Sequence, residues 1–179
     1  MSEAEEYIIE KGTPDNYNEL EVLYDSLNDY LSETVNYPGW IKGIYPVRET
    51  AEVGIKEGAL FVLKIKGVIA GSIILNHTPE EAYKGVRWNI EVDDREVLVV
   101  RTLVTHPQFM HKGVALHLME FAKKHAESLA VKAIRLDVSI NNTPAIKLYE
   151  RSGYKYIETV DLRLPYEHLK WFRLYELVL

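Results

Sequence analysis

Cysteine is absent from this 179-residue chain, which excludes disulfides, thiolate metal centres and a cysteine nucleophile. Long apolar runs are missing as well, and nothing approaches the roughly 20 residues that a membrane-spanning helix needs. The acidic start, Met1-Ser2-Glu3-Ala4-Glu5-Glu6, has neither the basic nor the apolar region of a signal peptide. A cytoplasmic protein with no membrane partner is expected. Positive charge is in the minority, 21 Lys and Arg against 27 Asp and Glu, and the net charge of −6 argues against nucleic acid. The same balance suits a cationic amine, but most acidic proteins have no such substrate, so the charge carries no functional weight. No internal repeat, low-complexity tract or linker interrupts the chain. With 47% hydrophobic and 27% charged residues, one globular domain over 1–179 is expected.

What is present reads as alternating strands and helices. Tyr7 to Glu10 form a short strand, and Thr13-Pro14-Asp15 open a helix whose apolar stripe is Leu20, Leu23, Tyr24, Leu27 and Leu31. Tyr37-Pro38-Gly39-Trp40 breaks that pattern. A second helix runs from about Arg48 to Glu57 and stops at Gly58. Ala59–Ile65 and Val68–Leu75 are strands joined by the tight turn Lys66-Gly67. The polar stretch from His77 to Asp94 reads as a long loop, in which Trp88-Asn89-Ile90 is a candidate for pairing with a neighbouring strand. Val97 to Thr105 is a strand ending at His106-Pro107, and a helix follows from about Lys112 to Leu129. Lys132–Ser139 alternates enough to predict a strand with one exposed face. Helix 143–152 and strands 154–162 and 171–177 complete the order β-α-α-β-β-β-α-β-α-β-β. This order predicts a mixed, mostly antiparallel sheet with helices on both faces.

Chemistry concentrates between Val97 and Tyr154. In Met110-His111-Lys112-Gly113-Val114-Ala115 a glycine stands at a strand-to-helix turn. Backbone N–H groups can approach an anion closely there, and the helix dipole adds positive charge. Alone this is a weak signal, since many such turns hold a glycine for steric reasons. The second motif is Asn142-Thr143-Pro144-Ala145-Ile146-Lys147-Leu148-Tyr149-Glu150-Arg151-Ser152-Gly153-Tyr154. It resembles the N-x-x-A-x-x-L-Y-x-x-x-G-F/Y signature of the GNAT N-acetyltransferase superfamily. The turn before it resembles that family's Q/R-x-x-G-x-G/A pyrophosphate loop, with Met110 where Gln or Arg is usual and Ala115 where Gly is commoner. One helix and one strand separate the two motifs, as in the family, and the order of elements extends the resemblance to the whole chain.

The resemblance implies the GNAT-like acyl-CoA N-acyltransferase fold, an α/β (α+β) architecture with a seven-stranded sheet and about four helices. It also implies acetyl-CoA as acyl donor, no metal, and a small-molecule or peptide amine as acceptor attacking directly in a ternary complex. Residues Met110, His111, Lys112, Gly113, Val114, Ala115 and Leu116 would hold the pyrophosphate, with His111 and Lys112 readable equally as solvated side chains. Leu103, Val104 and Thr105 would pair their main chain with the pantetheine arm. Asn142 and Ala145 would meet the same arm, and Asn142 is also a good N-cap in its own right. Tyr149 would protonate the departing thiolate, against a core aromatic as the plain alternative.

The base is less legible. Many relatives carry a Glu near the position of Val99, and this chain has none there. Glu96 at the strand's start is the candidate through a water, with His77, Glu91, Asp93 and Asp94 behind it. Tyr37 and Trp40 are candidates for an acceptor wall, together with Tyr45, and equally for covering the core's edge. Arg101 either orients a carboxylate of the acceptor or sits in a structural ion pair. His106, His111, His117 and His125 have no metal-site spacing, and no nucleophile-elbow pattern supports a serine hydrolase. A CoA-binding sensor that lost its chemistry, and an interaction module, are the competing readings. Trp171, Phe172 and Tyr175 in the last strand fit a homodimer contact or a buried strand.

Overall fold

The computed structural model describes residues 5–179, so the acidic start lies largely outside the described part. In chain order the elements are β1 (Tyr7–Lys11), α1 (Tyr17–Glu33), α2 (Arg48–Lys56), β2 (Leu60–Ile65), β3 (Val68–Asn76) and β4 (Val97–Thr105). After them come α3 (Val114–Ser128), β5 (Ala133–Ser139), α4 (Thr143–Arg151), β6 (Lys155–Asp161) and β7 (Trp171–Val178). The predicted order stands, with ends displaced by a residue or two. Pro14–Asn16 is a 3₁₀ turn, so α1 proper begins at Tyr17.

The strands form one seven-stranded sheet in the order β1-β2-β3-β4-β5-β7-β6. The pairs β1–β2, β2–β3, β5–β7 and β6–β7 are antiparallel, and β4–β5 is parallel, so the sheet is mixed and mostly antiparallel. Between β2 and β3, Lys66 and Gly67 both take positive φ, 50° and 79°, the conformation a two-residue hairpin with right-handed twist requires.

Contacts within the chain gather into two compact units. One comprises the residues up to Val35, Trp40–Leu75 and Thr102–Phe121; the other comprises Asn36–Gly39, Asn76–Arg101 and Ala122–Leu179. In the first, the predicted stripe of α1 is buried against Leu60, Val62, Ile69 and Ile74 of β2 and β3. Burial of each such side chain contributes about 1.5–3 kcal/mol. Gly71 of β3 lets the start of α3 come close: a Cβ there would lie 2.6 Å from Val114 Cγ1 and 2.7 Å from the Val104 carbonyl oxygen.

The second unit has its own core, Tyr83, Val97, Val99 and Leu174, with Trp88, Ile157 and Val160 packed on it. Here two expectations are corrected. The polar face of β5 is not solvent-exposed: Arg135 is 6% exposed and Asp137 is half-buried. The segment after β3 covers that face. Trp88–Ile90 accordingly forms no strand but donates and accepts hydrogen bonds across β5 and β7. Asn89 N–H donates to the Glu176 carboxylate (2.9 Å), and Arg135 donates to the Ile90 carbonyl (2.9 Å). Arg135 also pairs with Glu176 at 2.8 Å and lies 4.2 Å from the Trp88 ring centre. Side chains that alternate polar and apolar along a strand thus mark two faces, but not which of them meets water.

Candidate active site

In the first unit, β4 ends at Thr105 and the chain turns through Pro107–Phe109 into α3. His111 and Gly113 both take positive φ, 62° and 80°. Left-handed residues alternating with ordinary ones turn successive N–H groups to one side, which makes an anion-binding concavity. Among the described residues, no backbone group accepts from the N–H groups of residues 111–116, and the first pairing is His117 N–H to Gly113 O at 2.9 Å. Four such orphans are normal at a helix start, and the turn adds two more. A Cβ on Gly113 would meet only His117, at 3.5 Å, so its backbone angle rather than crowding calls for glycine.

Side chains around the turn sort by exposure. Met110 packs against the core of the unit, so an apolar residue suits this place and only its main chain belongs to the turn. His111, Lys112 and Leu116 are exposed, Val114 is buried and Ala115 is half-buried. Lys112 reaches Glu5 at 3.3 Å and lies over the Phe109 ring. On β4, Val104 is buried while Leu103 and Thr105 are half-buried. Thr102 has φ 46° inside the strand, a left-handed conformation that costs a β-branched residue about 1–3 kcal/mol. Its hydroxyl is hydrogen-bonded to the Tyr45 hydroxyl, and Trp40 packs edge-on against Tyr45 with ring centres 5.6 Å apart.

In the second unit the parallel ladder runs from Val97↔Ala133 to Val100↔Leu136. Arg101 and Asp137 are the next residue on each strand. Arg101 is ion-paired with Glu80 and donates to the Thr78 carbonyl at 2.5 Å, which makes it a structural pair rather than a free carboxylate clamp. Asp137 Oδ2 accepts from the Tyr83 hydroxyl at 2.6 Å. Burial pushes the Asp137 carboxyl up to about 6, against the opposing pull of the Tyr83 hydroxyl and the Arg101 guanidinium.

Tyr149 of α4 is 7% exposed and packs at a tilt against Tyr154, with ring centres 6.2 Å apart. Its hydroxyl has no hydrogen-bond partner among the described residues. Burial first, and the charge of Asp137 second, hold it well above the ordinary tyrosine value, so the phenol stays protonated. Asn142 caps α4 by accepting from Ala145 N–H at 3.4 Å. Tyr37 is 38% exposed beside Gly39, whose carbonyl oxygen lies 2.9 Å from His168 Nε2.

Glu96 lies just before β4, whereas Arg101 stands at the middle of that strand. It pairs with Lys132 at 2.8 Å and accepts from Asp93 N–H at 3.2 Å. The Lys132 ammonium is the first cause of its lowered pKa, with the Asp93 N–H second. A carboxylate held this way is a weak proton acceptor, and the arrangement does not fit Glu96 for the base. His77 Nδ1 is engaged with the Val97 carbonyl oxygen at 2.7 Å. Asp137, Tyr83 and Thr102 are the polar residues that sequence reading passed over. The available signal was Asp137 itself, a lone acid in an apolar strand.

The model of the GNAT acetyltransferase family matches residues 20–154. The chain is a GNAT-family member. An uncharacterised N-acetyltransferase from Methanocaldococcus jannaschii is 24% identical over 151 residues, covering 80% of this chain and 63% of the relative. The streptothricin acetyltransferase of Escherichia coli is 32% identical over 99 residues, 55% of this chain and 48% of that protein. The GNAT chain thus spans between about half and under two thirds of the length of these two relatives. Among solved structures, a Listeria monocytogenes GNAT acetyltransferase superposes with a TM-score of 0.73 at 18% identity, covering 97% and 95% of the two chains. A Salmonella typhimurium acetyltransferase solved with acetyl-CoA superposes with a TM-score of 0.66 at 14% identity, covering 96% and 93%. At these identities the structures establish the fold.

Proposed function

We propose that this GNAT protein transfers an acetyl group from acetyl-CoA to a primary amine, by direct attack in a ternary complex. The observation that carries the reading is the turn at residues 111–116, whose backbone N–H groups find no backbone acceptor among the described residues at the start of α3. A diphosphate fits such a turn: it needs several donors and no side-chain anion, and the helix dipole favours its charge. Acetyl-CoA, when bound, supplies the activated thioester.

The chain's own residues supply the rest. Backbone N–H groups from His111 to Leu116 hold the diphosphate, with Lys112 available once it leaves Glu5. The main chain of Leu103–Thr105 pairs with the pantetheine amides, and Asn142, with Ala145 beside it, meets the same arm. Tyr149 gives its proton to the departing sulfur. Trp40, with Tyr45, offers a partly buried aromatic wall, and Tyr37 an exposed ring, to an acceptor.

Calorimetric titration with acetyl-CoA tests the site, beside a Gly113→Glu variant that places a side chain and a negative charge at the turn. Binding lost in the variant supports the reading, and absence of binding by the wild type would overturn it. Thiol release is then screened with spermidine, lysine, a short peptide and streptothricin. Turnover with any of them separates an enzyme from a CoA-binding sensor.

A further inference from the structure

The roles above leave one half-buried acid without a use. Asp137 is the first residue of β5 beyond the parallel ladder, where the strand is no longer paired with β4 on that side. Tyr83 anchors one oxygen of its carboxyl, Oδ2, at 2.6 Å. Among the described residues nothing donates to the other oxygen, Oδ1. Tyr83 is itself fixed, because Trp88 Nε1–H donates to its carbonyl oxygen at 3.1 Å and the two rings pack 5.4 Å apart.

We propose that Asp137 is the general base of the acetyl transfer, its open Oδ1 accepting the proton of the attacking amine. The proposal rests on the acetyltransferase reading and adds the group that reading lacks. Oδ1 is not among the buried side-chain atoms left without a partner, so this oxygen is open to water and to an incoming amine. Here one oxygen is held and oriented while the other stays open.

The neighbours suit the task. From β4, the Arg101 guanidinium contributes positive charge and is itself balanced by Glu80. From the segment after β3 comes the Tyr83 hydroxyl, and from α4 the Tyr149 hydroxyl. The β7 residue opposite Asp137 is the apolar Leu174. Among the described residues these, with Glu80, are the charged and titratable groups that act on Asp137. A carboxyl titrating at about 6 is ionised at neutral pH yet accepts a proton more readily than an ordinary aspartate.

The protons and bonds balance without a further reagent. As the N–C bond forms and the C–S bond breaks, Asp137 takes a proton from nitrogen and Tyr149 gives one to sulfur. Passage of the Asp137 proton to the Tyr149 phenolate, directly or through water, restores both groups.

The test combines two variants and two measurements. Carboxyl carbon-13 NMR of the free protein follows the Asp137 titration, and kcat/KM is measured against pH with whichever of the four amines turns over. Asp137→Asn keeps an acceptor for Tyr83, so acetyl-CoA affinity by calorimetry should hold. Its kcat/KM should fall about 10²- to 10⁴-fold, with loss of the acidic limb near pH 6. Tyr83→Phe removes a bond that favours the ionised form, so the titration and the acidic limb should both move to higher pH. That variant carries the test if Asp137→Asn fails to fold. Turnover by Asp137→Asn within about threefold of wild type would overturn the proposal. So would an acidic limb that stays put in Tyr83→Phe while the carboxyl titration moves. A wild type that neither binds acetyl-CoA nor releases thiol would instead overturn the acetyltransferase reading, and the base with it.

Discussion

Burial acts on Tyr149 and Asp137 in the same direction and suits them to the opposite roles proposed. It keeps the phenol protonated, as a donor must be, and raises the carboxyl to about 6, where an acceptor works near neutral pH. Tyr149→Phe should lower kcat by about 10²-fold or more while leaving acetyl-CoA affinity nearly unchanged, which single-turnover kinetics beside calorimetry would show. Asp137 also makes a prediction about stability. Its folded value of about 6 lies above the ordinary 3.8, so the folded state binds more protons between those pH values. Stability is therefore lost as pH rises from about 4 to 6 and is flat above that window. Asparagine carries no such charge. Asp137→Asn should be the more stable protein at pH 8, by on the order of 1–3 kcal/mol, and should lose that margin near pH 4. Urea denaturation at the two pH values measures it, and an equal margin at both would contradict the sign. Tyr149 was legible in the sequence because a spaced motif surrounds it. Asp137 was not, because its partner Tyr83 stands 54 positions away.

Where β4 gives way to α3, close packing makes its own demands. Gly71→Ala would set a methyl group 2.7 Å from the Val104 carbonyl oxygen, a backbone atom with little room to move. A loss of about 1–3 kcal/mol is expected from such overpacking, readable as a lower urea midpoint at unchanged slope. On β5 and β7 the fully buried Glu176 holds Arg135 and the Asn89 N–H together. Glu176→Ala would strand a buried guanidinium and should cost about 3–5 kcal/mol, measured the same way. The α1 stripe, the Lys66-Gly67 turn and the helix stop at Gly58 were all readable, since each depends on residues a few places apart. The covering of β5 was not. Polar residues on alternate positions predict an outward face only when nothing else lies over it.

A ligand that binds only the folded protein adds to its stability. If the turn at 111–116 holds acetyl-CoA in the folded state alone, ligand at about 100 times its dissociation constant should add about 2.7 kcal/mol of stability. For a chain of this length that raises the melting temperature by roughly 5–11 °C. Gly113→Glu should show no such shift, and equal shifts in both proteins would place the ligand elsewhere. β4 belongs to both compact units, Val97–Arg101 to one and Thr102–Thr105 to the other, with the left-handed Thr102 at the change. Thr102 is held by Tyr45, 57 positions earlier, a pairing no local pattern announces.

Sequence by itself determined the order of the strands and helices, the glycine turn before α3, the Tyr149 motif and the family. These follow from periodicity, caps and spaced motifs, which act over a few residues and so survive in the linear chain. Only the tertiary structure decided that Glu96 is tied to Lys132, that Arg101 is engaged by Glu80, and that Asp137 has one oxygen anchored and one open. The reason is physical: a charged side chain takes its pKa and its use from whatever long-range folding packs around it, and desolvation and pairing act through space.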